Sequence, residues 1–349
     1  MRLTTLIALA LLSTLPGAAC IGEPGAHRKP GTGSGSDQTS GPCARRDGDV
    51  TIRATADMAS LPKTGCYDIY GKLTVQGAAI TSLAGFNGLN SVNELDLDHT
   101  SLTAIDSKRP IGIYGKLTVT GNAKLTDLKQ LSFETASTGI LIDGNTVLAS
   151  LDPLALADPA LEEVDGDVAI TANPALTSVP LGHLTRLTGA LTVSGNAALA
   201  TIDLGKLATT GHVEIADNAK LTALTGFAAT TIGGDLAIRN NPVLTTLGTM
   251  SSLYRVTGNV TIDSNAALTN LAAFTTSLKF IDLALTVNQN PKLTDLGALK
   301  HLQLVGGISI TNNQSLVNCR AVEIDRCVQH PTTAVISNNN NANCNWQCN

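Results

Sequence analysis

Residues 191–218, LTVSGNAALATIDLGKLATTGHVEIADN, carry one short phrase twice: LTVSGN ends at Asn196 and VEIADN at Asn218. In both, apolar residues alternate with small or polar ones for four positions, and an asparagine follows. Alternation of this kind is a strand with its first and third side chains on one face. Outward in both directions the phrase returns. LTVTGN ends at Asn122, ILIDGN at Asn145 and VAITAN at Asn173. LAIRNN, VTIDSN, LTVNQN, ISITNN and AVISNN end at Asn241, Asn265, Asn290, Asn313 and Asn339. Upstream, the same slot holds Thr55, Ala78 and Thr100, giving about thirteen units at steps of 22–28 residues.

Fixed-period self-similarity is the mark of a solenoid. After each asparagine comes a second apolar pair, as in Leu125 and Leu128, then a third inward group before a glycine: Leu253, Val256 and Gly258, or Leu302, Val305 and Gly306. One such coil cannot bury its own apolar side, but a stack can. The expected fold is an all-β solenoid, a parallel β-helix spanning residues 43–349. At a strand spacing near 4.8 Å it is a rod on the order of 60 Å long. The asparagines sit where the chain turns inward. A carboxamide both donates and accepts, so it can satisfy backbone groups at a buried corner and pair with its neighbours along the rod. They read as structure; carboxamides are poor metal ligands.

The pattern G-x-L-x-[IV]-x-x-N-x-x-L-x-x-[LI] resembles the receptor L domain, a relative of the leucine-rich repeats, over roughly residues 48–340. That family is best known from the ligand-binding ectodomains of insulin- and EGF-receptor-type kinases, and occurs in bacterial and fungal surface proteins. The resemblance implies a right-handed β-helix. It implies little about function, since one architecture serves many. Departures are plain: no furin-like cysteine-rich region, membrane span or kinase accompanies the repeats, and thirteen coils exceed one usual L domain. The long step between Asn145 and Asn173, with Asp152-Pro153 and Asp158-Pro159, is the expected junction or protruding loop.

Composition agrees with a narrow aliphatic core. Aromatic residues are 3%, charged residues 15% and hydrophobic residues 43% of 349. The net charge of −5 is scattered, with no basic stripe for a nucleic-acid backbone. Residues 1–19 read as an export signal, with Arg2 ahead of the apolar run Leu6 to Leu15 and small residues after it. Cys20 follows directly, as in the lipobox of bacterial lipoproteins, although Gly17 stands where that motif usually has leucine. Acylation of Cys20 is the expectation, with ordinary cleavage after Ala18 or Ala19 as the alternative. Residues 21–42, rich in Gly, Pro and Ser, form a flexible linker behind it.

Without Cys20, six cysteines remain, at the two ends of the array. Terminal coils expose a raw edge and need covering. Cys43 and Cys66 are placed to pin the N-terminal cap. Cys319, Cys327, Cys344 and Cys348 are placed to staple the C-terminal one, by any of three pairings. A zinc site is the weaker reading, because their spacing lacks the paired C-x2-C knuckle and export favours disulfides.

No nucleophile elbow, zincin or phosphate-loop motif is present. Asp96 and Asp98 are the one pair of outward carboxylates on a strand. They offer too few oxygens for a hard cation and read as a solvated face. Ranks of threonine invite comparison with ice-binding solenoids, but Asp, Glu, Arg, Leu and Ala interrupt them. The expectation is a non-enzymatic binding or scaffold protein of the cell envelope, without cofactor. A lipid at Cys20 would anchor it, and its partner would be an extracellular protein or polysaccharide. The alternatives are a secreted form and a polysaccharide-active β-helix enzyme. Scarce aromatics argue against a sugar-stacking site or an aromatic hot spot.

Overall fold

A computed structural model of the protein describes residues 43–133, 136–151, 161–330 and 334–340. Cys20, the signal and linker segments, the two Asp-Pro steps, Cys344 and Cys348 lie outside them. The described chain is a parallel β-solenoid. Thirteen rungs form its main ladder, from Val50–Ile52 through Val213–Ala216 to Val335–Ser337, and they enclose twelve turns. Each rung pairs in parallel with the next, typically in unbroken register, as Leu191, Thr192 and Val193 do with Val213, Glu214 and Ile215. A one-residue slip would turn every core side chain outward, so the buried face fixes this register.

A second ladder precedes the first in each coil and belongs to the same sheet. It includes Arg186–Leu187, Thr209–Thr210, Thr231–Ile232 and Arg255–Val256. A short second sheet of three strands, Ser178–Pro180, Thr201–Asp203 and Ala223–Thr225, forms a separate ladder. A single coil buries Leu191, Val193, Leu199, Ile202, Leu204 and Leu207 completely. Stacked, these aliphatic sets form one core running the length of the array. Between the two ladders the coils close on each other tightly: a Cβ at Gly189 would lie 2.5 Å from the Gly166 carbonyl oxygen. Only glycine fits there.

The ends are built differently. At the N-terminal end Cys43 and Cys66, one coil apart, form a disulfide with their Cα atoms 4.8 Å apart, the ordinary distance between rungs. At the other end helix α1, Asn318–Cys327, lays Ala321 and Ile324 onto the core, followed by Val328. Lys300, on the preceding coil, holds Glu323 of this helix at 3.2 Å. Cys319 and Cys327 are both disulfide-bonded. No helix among the described residues is long and apolar enough to cross a membrane.

Candidate functional site

The asparagine column is where the sequence reading placed it, and its geometry defines its role. All ten asparagines are buried. Each side-chain oxygen accepts the backbone N–H of the corresponding residue one coil earlier, at 2.9–3.1 Å. Each Nδ2 donates to a strand carbonyl of the previous coil, at 2.8–3.0 Å, as Asn218 does to Val193. Most also donate to the next asparagine oxygen at 3.0–3.3 Å. The amides are consumed by the scaffold.

Of the three upstream residues assigned to this slot, only Thr100 joins the column. Its N–H and hydroxyl both donate to Asn122 Oδ1, at 2.9 and 2.6 Å. Ala78 is exposed and Thr55 starts a short 3-10 turn. Neither side chain could do what a carboxamide does, and the chain leaves the repeat there.

The residue before each ladder position is in the left-handed region. His99, Gly121, Gly144, Ala172, Gly195, Asp217, Asn240, Ser264, Gln289, Asn312 and Asn338 have φ between 48° and 71°. Every non-glycine residue with positive φ among the described residues is in this slot. The strand face that ends there is the outward surface.

On that face the carboxylates are engaged in ion pairs and hydrogen bonds, and Asp98 still meets solvent with 40% of its side chain exposed. Lys72 holds Asp96 at 2.7 Å, and that hydrogen bond raises the ammonium above its ordinary pKa. His99 contacts Asp98 at 2.6 Å and Thr120 donates to it at 2.9 Å; the bond to His99 lowers this carboxyl below the usual aspartate value. Thr171 donates to Asp143 at 2.5 Å, Asn288 to Asp263 at 2.7 Å, and Arg239 pairs with Glu214. Further along, Thr311 and Asn312 both donate to Asn288 Oδ1 at 2.8 Å, and Asn338 to Asn312 at 3.0 Å. Ala216 and Ala237, on the strands Val213–Ala216 and Leu236–Arg239, are buried. The small methyls lie in the same two rungs as the long Glu214 and Arg239 side chains.

The second ladder holds what the composition argued against. Tyr254 is 48% exposed, and its ring meets Phe280 edge-on with centroids 5.3 Å apart. Arg255 lies over the Phe280 ring at 5.7 Å and binds Asp282 through Nε and Nη2, at 3.0 and 2.7 Å. Leu304 stands in register beside Phe280, 40% exposed. Leu283, 53% exposed, sits where the register shifts between Ile281 and Ala284. Counting aromatic residues could not find this patch, because two rings 26 residues apart become neighbours only through the coil step. The signal available was the spacing of the rings from the closing group: Phe280 stands one residue before Ile281, and Tyr254 two residues before Val256.

Beyond the geometry, comparison with known proteins adds one relation. A fungal protein from Arthroderma benhamiae described as a cell surface GPI-anchored protein is 27% identical over 284 residues, spanning 75% of this chain and 70% of the relative. No protein-family profile matches the chain. The similarity is to a surface protein and is consistent with a surface location. Being to a fungal protein, it lends no support to a bacterial form, and the receptor L-domain likeness rests on the repeat architecture.

Proposed function

We propose that this protein is a non-enzymatic, surface-displayed binding or scaffold protein that offers its outward strand faces to an extracellular protein or polysaccharide. One observation carries the reading. The carboxylates of the main face are tied coil to coil into hydrogen bonds and ion pairs, so the face is a fixed polar surface. General acid–base work needs a carboxyl held for proton transfer, and a glycosidase needs two of them flanking a substrate at about 5–9 Å. The similarity to a surface protein agrees with display. Acylation at Cys20, with residues 21–42 as spacer, is the attachment we propose.

Incubating the purified chain with isolated cell-envelope material tests the reading. Retention without new reducing ends or unsaturated products is expected. Product formation would favour a polysaccharide-active enzyme instead, and no retention would reduce the protein to a spacer. Intact mass of the mature N-terminus checks the attachment: an unmodified Cys20 would rule it out.

A further inference from the structure

The solenoid puts its rings inside wherever it can: Tyr67, Phe86, Phe133 and Phe274 are fully buried. Tyr70, Tyr114 and Phe280 are half-buried, and among the described residues Tyr254 is the most exposed ring. It stands half in solvent with Phe280 and Leu304 beside it, and the Arg255–Asp282 pair borders the rings. Three aspects of the patch bear on what it would hold. The two ring planes stand at 69° to each other, and Tyr254 keeps 48% of its surface exposed. Within the pair the charges cancel, because the Arg255 guanidinium binds Asp282 through two nitrogens; the Lys279 ammonium is directed at the His301 carbonyl, 3.5 Å away. The pair still presents a planar fork of N–H donors and a carboxylate acceptor next to the rings.

An aromatic face bordered by a neutral donor–acceptor pair matches the pyranose ring, which has an apolar C–H face and a rim of vicinal hydroxyls. An acidic polymer would find the Arg255 charge already paired with Asp282. A protein partner would need roughly 800 Å² per side, and a few apolar side chains along one edge of a rod supply only part of that. Successive coils also repeat the ladder at about 4.8 Å, so the edge is a track along which a linear polymer can lie.

We infer that Tyr254, Phe280 and the Arg255–Asp282 pair form a binding subsite for a neutral polysaccharide, with a sugar ring stacked on Tyr254. The inference rests on the binding-protein reading above and names its ligand class. Tyr254 acts as the platform, and Arg255 and Asp282 as hydroxyl partners.

Native affinity electrophoresis of the full chain in gels containing a soluble β-glucan, a mannan or the acidic polymer alginate tests it. Retardation by one of the neutral polymers and not by alginate is expected. Tyr254→Ala should weaken that retardation at least ten-fold, and Tyr254→Phe, which keeps the face, should largely restore it. Thermal melts of both variants should match the parent, since the side chain is half exposed. Retardation by neither neutral polymer, retardation by alginate alone, or a Tyr254→Ala variant that binds as the parent does would overturn the subsite. So would envelope retention that is abolished by protease treatment of the envelope, which would make the partner a protein. In these cases retention on envelope material can persist and leave the broader reading standing. If the parent is not retained at all, the broader reading falls as well.

Discussion

Two columns of residues run side by side along the solenoid, one position apart in sequence. The inner one is asparagine in ten successive coils, with Thr100 at its head. The outer one, immediately before it, is glycine in some coils and His, Ala, Asp, Asn, Ser or Gln in others. Conformational demand alone would predict the opposite, because the outer column is the one in the left-handed region, where non-glycine residues are strained by about 1–2 kcal/mol. The inner column lies outside the left-handed region and carries no such strain. What separates them is burial. The outer side chain meets solvent and can be anything that tolerates modest strain. The inner one must supply an acceptor to one coil and a donor to the same coil's strand, and each buried group left unpaired costs about 1–3 kcal/mol. Hydrogen-bond accounting in the interior constrains residue identity more tightly than backbone strain at the surface.

Breaking the inner column should produce the largest effect. Asn218→Ala removes the acceptor of the Asn196 N–H and the donor to the Val193 carbonyl. A loss of roughly 2–4 kcal/mol is expected from two stranded buried groups, read as a lowered urea midpoint. An effect no larger than that of an exposed substitution would mean the column does not carry the coil-to-coil bonds.

In the outer column a change of opposite sign is expected. Ala172 holds φ at 53°. Ala172→Gly relieves that strain and loses part of the gain to unfolded-chain entropy, so it should stabilise by about 0.5–1 kcal/mol. A small rise in melting temperature checks this. Destabilisation would show that the Ala172 methyl has a packing role that outweighs the strain.

The smallest effect lies on the outward face beside His99. Because the Asp98 carboxyl is held below its ordinary value, chiefly by the hydrogen bond to His99, its contribution is complete above about pH 4. It is lost as pH falls through the lowered value. The group is partly exposed and screened, so Asp98→Asn should cost only about 0.2–0.5 kcal/mol at neutral pH. The difference between parent and variant should shrink in melts as the pH is taken down through that lowered value. A difference that persists in acid would assign the effect to packing.

The same contrast explains what could be read before the fold was seen. The strand phrases and Asn196, Asn218 and their kin were legible because burial forces repetition, and repetition is visible in one sequence. The left-handed slot was not, because Gln289 and Asp217 share a conformation without sharing a chemistry. Helix α1 was obscured too: Ala321, Ile324 and Val328 have helical spacing, but the segment occurs once, outside the period. The Lys72–Asp96 pair and the Tyr254–Phe280 contact depend on which outward side chains the coil step sets beside each other. The period gives that registry, but the shift between Ile281 and Ala284 alters it locally.

The Cys43–Cys66 disulfide bears on how the rod carries force. A stack of parallel rungs is weakest when its end coil is peeled away one hydrogen bond at a time. Because this covalent bond joins points one coil apart, tension applied at residue 43 passes straight to residue 66 and the first coil falls out of the load path. Peeling must then begin at the strand Tyr67–Gln76, whose ten residues pair along most of their length with Leu89–Asp98. A pull from the N-terminal side therefore meets one of the broadest paired rungs of the array first, and the reduced protein should unravel at lower force than the oxidised one.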